Sequence, residues 1–177
     1  LLMSNLQANI KQLVKKYTTL DALVTNLNTA VFELTGGERF LTLFIADVFP
    51  EQGKVDYINC GHISPLLYSE AKMTALNVGT TVIGAFPKLP FMDKGHLSLQ
   101  GQSILLIFTD GLTDLINPSA EYFDLEHIEK FITENHTKNS TSFNTLLMDE
   151  LEKFKGNQTF PDDITVLTCK IDTNTVS

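Results

Sequence analysis

Basic side chains are scarce in this sequence, and cysteine and tryptophan are nearly or entirely missing. Its 177 residues contain no Trp, two Cys, and 13 Lys and Arg against 21 Asp and Glu, which gives a net charge of −8. Arg39 is the only arginine in the chain. A surface of this charge does not neutralise a phosphate backbone, so we expect no nucleic acid among the partners.

Long apolar runs are missing as well. No stretch approaches the roughly 18 apolar residues that a membrane-spanning helix needs, and the first residues carry no signal-peptide pattern. The two cysteines, Cys60 and Cys169, lie far apart in strand-like segments and are expected to be reduced thiols. The sequence therefore predicts a cytoplasmic domain that makes no membrane contact.

Apolar residues, by contrast, are plentiful. They make up 43% of the chain and include 12 Phe. A chain of this length can bury roughly two thirds of its unfolded surface, so neither a metal nor a disulfide is needed for folding. We predict a single globular domain over residues 1–177.

Apolar periodicity predicts helices at both ends of the chain and strands between them. One amphipathic helix is expected from residue 2 to about 17, and a second starts at Thr18, with Asp21 in its first turn, and ends at Gly36. Alternating segments predict strands over 40–49, 54–59, 65–68, 74–76, 96–99, 103–108 and 164–171, with two further helices over 125–132 and 143–154. Helices thus flank a mostly antiparallel sheet.

Two acidic segments stand out because each lies where a predicted buried strand ends. Asp110 and Asp114 follow the strand at 103–108, and Asp162 and Asp163 precede the last strand. A carboxylate on a rigid strand end suits a hard cation such as Mg²⁺ or Mn²⁺, and Gly111 permits close backbone approach. Each residue taken alone also fits ordinary turn chemistry, so that alternative stays open.

Other chemistries find less support. The four histidines show no metal-ligand spacing, which argues against a zinc site, and neither Cys nor Ser lies in a nucleophile motif. The Gly36-Gly37 pair follows a helix, where it serves as a cap rather than a phosphate-binding loop. His62 is expected to hold the turn that follows it by hydrogen bonds.

Six short motifs in order carry a family resemblance. They are Leu1-Leu-Met-Ser-Asn-Leu-Gln7, Arg39-Phe-Leu-Thr-Leu43, Asn59-Cys-Gly-His62, Val82-Ile-Gly84, Thr109-Asp-Gly111 and Asp162-Asp-Ile-Thr165. Together they resemble the bacterial PPM-type serine/threonine phosphatases of the sporulation stage II E and stress-response regulator kind. The resemblance implies an α+β fold, an α/β/β/α sandwich of mainly antiparallel sheets flanked by helices, with two Mn²⁺ or Mg²⁺ ions at one end.

The resemblance also implies an activity and a set of site residues. The activity is hydrolysis of phosphoserine or phosphothreonine on a regulatory protein of the anti-sigma-factor antagonist type, in bacterial signal transduction. By position, Asp110 and Asp162 resemble metal ligands, and Asp114 matches a residue that in some relatives helps to hold a further, weaker metal. Gly111 and Asp163 resemble residues that support the site loops. Water would attack the phosphoryl group directly, so no catalytic side chain is assigned.

The chain departs from the family pattern at its start. Family members carry a Gly-Asp-x-x-Gly-Lys-Gly-like segment, whose Asp bridges the metals, just before the helix that matches residues 1–7, and one or two strands precede it. This sequence contains neither the segment nor those strands. We expect a piece of a larger regulator with an upstream sensor or receiver domain, little activity from this piece alone, and possible homodimer contacts through the first helix.

Two other interpretations remain. A non-catalytic regulatory or partner-binding module would have the same fold with an incomplete metal site. A ligand-sensing α+β domain would need a closed apolar pocket, and it would leave the placement of Asp110 and Asp162 unexplained.

Overall fold

The structure, a computed structural model, describes residues 2–173, except for the side chains of residues 2–6 and 9. Leu1 and residues 174–177 of the predicted domain therefore lie outside the described part. The chain forms two compact units. The first comprises the residues up to Phe49 together with Lys54–His62 and Leu76–Ser98, and the second comprises Pro50–Gly53, Ile63–Ala75 and the residues from Leu99 onward.

Helices and strands follow one another in the predicted order. The helices are α1 (Leu2–Lys16), α2 (Leu20–Thr35), α3 (Leu125–Asn135) and α4 (Ser140–Lys155). The strands are β1 (Leu43–Phe49), β2 (Lys54–Cys60), β3 (Leu66–Ser69), β4 (Lys72–Ala75), β5 (Gly79–Thr80), β6 (Gly95–Ser98), β7 (Gln102–Phe108) and β8 (Val166–Asp172). Short 3₁₀ turns occupy Pro50–Gln52 and Asp110–Leu112. Only β5 was not predicted, because two residues are too short to show a period.

The ends of α2 show how local sequence sets the helix boundaries. Thr19 is the N-cap, and its hydroxyl accepts a hydrogen bond from the Ala22 N–H at 3.4 Å, so the predicted start at Thr18 is wrong by one residue. Thr19 rather than Thr18 is the cap because its hydroxyl accepts a hydrogen bond from an N–H group of the first helical turn. Gly36 ends the helix with φ of 64°, in the left-handed region that favours glycine.

In the first unit, α2 packs on a small sheet and α1 packs against α2. β1 and β2 form an antiparallel hairpin, from Leu43 opposite Cys60 to Phe49 opposite Lys54. β2 also pairs with β6, antiparallel, and with β5, parallel. Buried apolar residues of α2 recur every three or four positions and therefore form one face that meets the sheet. The buried members of this core are Leu20, Val24, Leu27, Val31, Ile58, Cys60 and Ile83.

The second unit packs α3 and α4 on a fully antiparallel sheet in the order β4-β3-β7-β8. β7 is flanked on both sides, as its continuous apolar run predicts. Its residues Ile104, Leu106 and Phe108 are buried with apolar residues of both helices, namely Ile128, Phe131, Ile132, Phe143, Leu147 and Leu151. The predicted fold class, α+β with mainly antiparallel sheets flanked by helices, is confirmed.

The two cysteines differ in burial: Cys60 belongs to the core of the first unit, and Cys169 is half-buried in β8. Both are free thiols, and burial raises the pKa of Cys60 to about 12 and also raises the pKa of Cys169. A thiol with a raised pKa stays protonated near neutral pH and is a poor nucleophile. Over residues 2–173, no helix is long and apolar enough to cross a membrane.

The β3–β4 hairpin holds a backbone conformation that its sequence does not favour. Ser69 pairs with Lys72, so the loop consists of Glu70 and Ala71, whose φ values are 50° and 58°. Two positive φ angles are the pattern of a type I′ turn, in which Asn and Gly are preferred because a Cβ is strained there.

We expect Ala71→Gly to raise the free energy of unfolding by about 0.5–1 kcal/mol, because it removes this strain. The matched control is Ala75→Gly in β4, which should lower that free energy by about 0.5–1 kcal/mol because glycine weakens an ordinary strand. Urea denaturation of both variants measures the two changes. A lower stability for Ala71→Gly would contradict the assignment of strain to this turn.

Candidate functional site

The two predicted acidic segments meet at one edge of the second unit's sheet. β7 and β8 run antiparallel, with Phe108 opposite Val166 at the end of the ladder. The end of β7 therefore lies beside the start of β8, although α3 and α4 separate the two strands in sequence. Asp110 follows β7, and Asp162 and Asp163 precede β8, so their segments are neighbours.

Thr109 links these segments through three hydrogen bonds. Its N–H donates to the Thr165 carbonyl at 3.1 Å. Its hydroxyl accepts from the Thr165 N–H at 3.0 Å and donates to the Asp163 carbonyl at 3.3 Å. The sequence predicts no role for Thr109 beyond its place in the Thr109-Asp-Gly111 motif. The available signal was only a hydroxyl residue directly after a strand, beside an Asp-Gly pair.

Gly111 is buried against the other segment. A Cβ at this position would lie 2.6 Å from the Asp163 carbonyl oxygen and 3.4 Å from that of Asp162. Contacts below 3.0 Å are not tolerated between a Cβ and a backbone atom, so only glycine lets the two segments of the chain approach this closely. Its backbone does not require a positive φ, and the constraint is therefore one of space alone.

The carboxylates themselves lie on the exposed side of this contact. Asp110 Oδ1 accepts a hydrogen bond from the Gly111 N–H at 3.0 Å, and Asp162 Oδ1 accepts one from the Asp163 N–H at 2.7 Å. Asp110, Asp114, Asp162 and Asp163 are all exposed. Each of the two bonded carboxylates is thus oriented by the amide that follows it while its second oxygen remains available.

Asp114 lies one turn beyond Asp110. Its N–H donates to the Asp110 carbonyl at 2.9 Å, and the Thr113 hydroxyl donates to the same oxygen at 3.1 Å. Over the part of the chain that the structure describes, no three His, Cys, Asp or Glu side chains form a group that could hold a metal. The structure therefore brings together the segments of Asp110 and Asp162, but not a complete shell that includes Asp114.

The donors at this edge suit a hard divalent cation. Carboxylate oxygens are the ligands that Mg²⁺ and Mn²⁺ prefer, and Mg²⁺ is commonly held by one or two carboxylates, with water and substrate phosphate as its remaining ligands. The residues present fit that pattern. The assignment of Asp110, Asp162 and Asp114 as ligands, with Gly111 and Asp163 in support, stays a prediction.

The Asn59-Cys-Gly-His62 motif has a different geometry in the first unit. The buried Asn59 side chain accepts from the His62 N–H at 2.8 Å and donates to the Leu76 carbonyl at 2.9 Å. The His62 ring lies 3.4 Å from the Thr42 hydroxyl. The Asn59 side chain therefore holds the turn that leads into His62. The predicted role of His62 in the turn that follows it stays a prediction.

Solved structures show which class of domain has this fold. The chain matches the SiaA-PP2C domain of Pseudomonas aeruginosa with a TM-score of 0.84 at 14% identity, covering 97% of this chain and 69% of that one. It matches the catalytic domain of the serine threonine protein phosphatase PstP, in complex with two manganese ions, with a TM-score of 0.66 at 14% identity, covering 97% and 81%. The chain has the fold of PP2C phosphatase domains.

Sequence comparison then gives the family. The family described as "Stage II sporulation protein E (SpoIIE)" matches residues 1–172, and this chain belongs to it. Protein IcfG of Synechocystis sp. (strain ATCC 27184 / PCC 6803 / Kazusa) is 27% identical over 129 residues, which is 72% of this chain. The chain spans only 20% of the length of that relative.

The close contact at Gly111 leads to a test of the site. We expect Gly111→Ala to force the Asp110 and Asp163 segments apart, to lower the free energy of unfolding by about 1–3 kcal/mol, and to weaken Mn²⁺ binding. Titration calorimetry with Mn²⁺ and urea denaturation measure the two effects.

Gly36→Ala is the matched control for this substitution. A Cβ added at Gly36 would meet no heavy atom within 4 Å, but φ there is +64°. The variant's free energy of unfolding should therefore fall by about 1 kcal/mol through backbone strain. Because Gly36 caps α2 and is not part of the candidate site, its variant should keep the Mn²⁺ affinity of the unchanged chain. Equal Mn²⁺ affinities for both variants would remove Gly111 from the site.

Proposed function

We propose that this chain forms part of a metal-dependent protein phosphatase that hydrolyses phosphoserine or phosphothreonine on a regulatory protein of the anti-sigma-factor antagonist type. The observation that carries the proposal is the juxtaposition of the Asp110 and Asp162 segments at one edge of the sheet. Membership of the SpoIIE family and the PP2C fold support it.

Charge at this edge explains why a cation is required. Four exposed carboxylates lie on the two segments, and none of them belongs to an ion pair among the described residues. Like charges repel, so a phosphate dianion cannot approach this edge unless positive charge is bound there first. Over residues 2–173, no Lys or Arg forms an ion pair with these carboxylates.

Asp110 and Asp162 are the residues that would hold Mn²⁺ or Mg²⁺. When bound, such a cation neutralises phosphoryl oxygens and lowers the pKa of water. Gly111 and Asp163 orient the two carboxylates through their N–H groups, so little rearrangement is needed when the site is filled. Two-cation chemistry needs bridging ligands beyond these two carboxylates, and we propose that a Gly-Asp segment of the family pattern supplies the additional ligand.

Family membership also supports a proposal about the wider setting. We propose a cytoplasmic regulator in which this domain follows a sensor or receiver domain. A homodimer contact through α1 belongs to the same proposal, and the Val14 side chain on that helix is 55% exposed.

A second candidate function is favoured by one observation. The described residues contain no group of three acids, His or Cys that could hold a metal. A domain that binds a regulatory partner without hydrolysing it would need no such group. The two candidates differ in whether added Mn²⁺ produces turnover.

The decisive experiment measures Mn²⁺-dependent release of phosphate from a phosphoserine peptide. We expect turnover from a protein in which residues 1–177 are preceded by a Gly-Asp segment of the family pattern (the extended protein), and little or none from residues 1–177 alone. Asp110→Asn in the extended protein should lower the rate about a hundredfold or more, because it removes charge that the cation requires while keeping the side chain's size.

Asp149→Asn is the control for that change. Asp149 is exposed on α4, so the variant alters net charge equally without touching the candidate site, and its rate should be unchanged. Full activity in Asp110→Asn would show that the ligand assignment is wrong. An extended protein that binds the phosphopeptide but never releases phosphate would establish the non-catalytic function instead.

A further inference from the structure

We propose that Thr109 is a positioning residue whose hydroxyl fixes the Asp110 and Asp162 segments relative to each other and thereby sets the affinity for the cation. The inference rests on the proposed metal site. It assigns a role to a residue that contributes no ligand itself, and it rests on the hydrogen bonds that this one side chain makes.

Thr109 lies directly after the end of the β7–β8 ladder. The ladder ends with Phe108 opposite Val166, and the Thr109 N–H still donates to the Thr165 carbonyl. Residues 161–165 are not in a strand, so regular pairing does not fix them. Beyond the ladder, the Thr109 hydroxyl holds the two segments together, because it forms hydrogen bonds with both Thr165 and Asp163.

The Thr109 hydroxyl both accepts and donates a hydrogen bond. It accepts from the Thr165 N–H at 3.0 Å and donates to the Asp163 carbonyl at 3.3 Å. A hydroxyl is the smallest group that can do both at once. Valine has nearly the same shape as threonine but can do neither, whereas serine keeps both roles.

The hydrogen bonds of Thr109 are linked to both carboxylates. Thr109 is covalently bound to Asp110 on one side of the contact. On the other side, its hydroxyl holds residue 163, whose N–H orients the Asp162 carboxylate at 2.7 Å. The same Asp163 carbonyl also lies against Gly111. Asp163 is therefore fixed by a hydrogen bond from Thr109 and by close packing on Gly111, and its N–H positions the Asp162 carboxylate. The Asp110 carboxylate is positioned by the N–H of that same Gly111.

Support of this kind affects cation affinity more than folding. The hydrophobic core of this unit lies among β3, β7, α3 and α4, and it does not depend on the Thr109 hydroxyl. Groups that orient metal ligands without touching the metal typically change affinity about 10–100-fold when removed. Loss of the hydroxyl should therefore appear mainly in binding.

The test compares Mn²⁺ binding by residues 1–177 and by four variants. The electron paramagnetic resonance signal of unbound Mn²⁺ measures how much of the ion each protein has bound. We expect Thr109→Val to weaken binding about 10–100-fold and Thr109→Ser to retain affinity close to that of the unchanged chain. Asp110→Asn should abolish the site. Circular dichroism confirms that each protein is folded at the temperature used, and Thr109→Ala, which also lacks the hydroxyl, replaces Thr109→Val if the latter does not fold.

Thr168→Val is the matched control. Thr168 lies in β8, is buried, and donates from its hydroxyl to Asn144 Oδ1 at 2.5 Å, so the same substitution removes a comparable bond from the same sheet. It should lower the melting temperature and leave Mn²⁺ affinity unchanged. Equal weakening by Thr168→Val and Thr109→Val would mean general loosening and would overturn the inference.

Two further outcomes separate this inference from the proposed function. If Asp110→Asn abolishes binding but Thr109→Val binds as well as the unchanged chain, the metal site stands and the positioning role is wrong. If Asp110→Asn binds Mn²⁺ as well as the unchanged chain, the proposed site is itself wrong, and the role of Thr109 is overturned with it.

Discussion

The antiparallel pairing of β7 with β8 is the interaction on which the candidate site depends. It brings the residues after β7 beside the residues before β8, although two helices separate those segments in sequence. The same β7 residues, Ile104, Leu106 and Phe108, are buried beneath α3 and α4. Apolar burial therefore fixes the strand, and the strand in turn fixes the acidic segment at its end. A change that disturbed the register of this pair would move Asp110 relative to Asp162 without altering either residue.

The acidic edge is a local cost that the rest of the unit offsets. Four exposed carboxylates on neighbouring segments repel one another, and the described part of the chain gives them no basic partner. Hydrogen bonds from Thr109 and close packing at Gly111 hold the segments together against that repulsion. Local features that oppose stability are expected where a protein binds a ligand, because the ligand removes the cost when it arrives.

Sequence patterns predicted the parts of the fold that depend on periodic burial. The helices and all strands except β5 follow from apolar spacing, and the strand-end acids Asp110 and Asp162 follow from where those periods stop. Features that depend on single contacts were not predictable. Thr19 rather than Thr18 caps α2, and Glu70 and Ala71 form a turn without the Asn or Gly that signals one. The role of Thr109 depends on hydrogen bonds to residues far along the chain, which no local pattern encodes.

If Asp110 and Asp162 are the ligands, as proposed, their small number makes rigidity more important than it is in a crowded metal site. A cation with five or six protein ligands tolerates the displacement of one of them, since the others retain it. A cation that depends on two carboxylates has no such reserve, and its affinity falls whenever their separation fluctuates. The structure restrains that separation at three points: the end of the β-ladder, the Thr109 hydroxyl and the Gly111 contact. Each restraint involves backbone atoms of the opposite segment. The second carboxylate oxygen of Asp110 and of Asp162 is thereby left for the proposed cation, while the backbone that carries each side chain remains fixed.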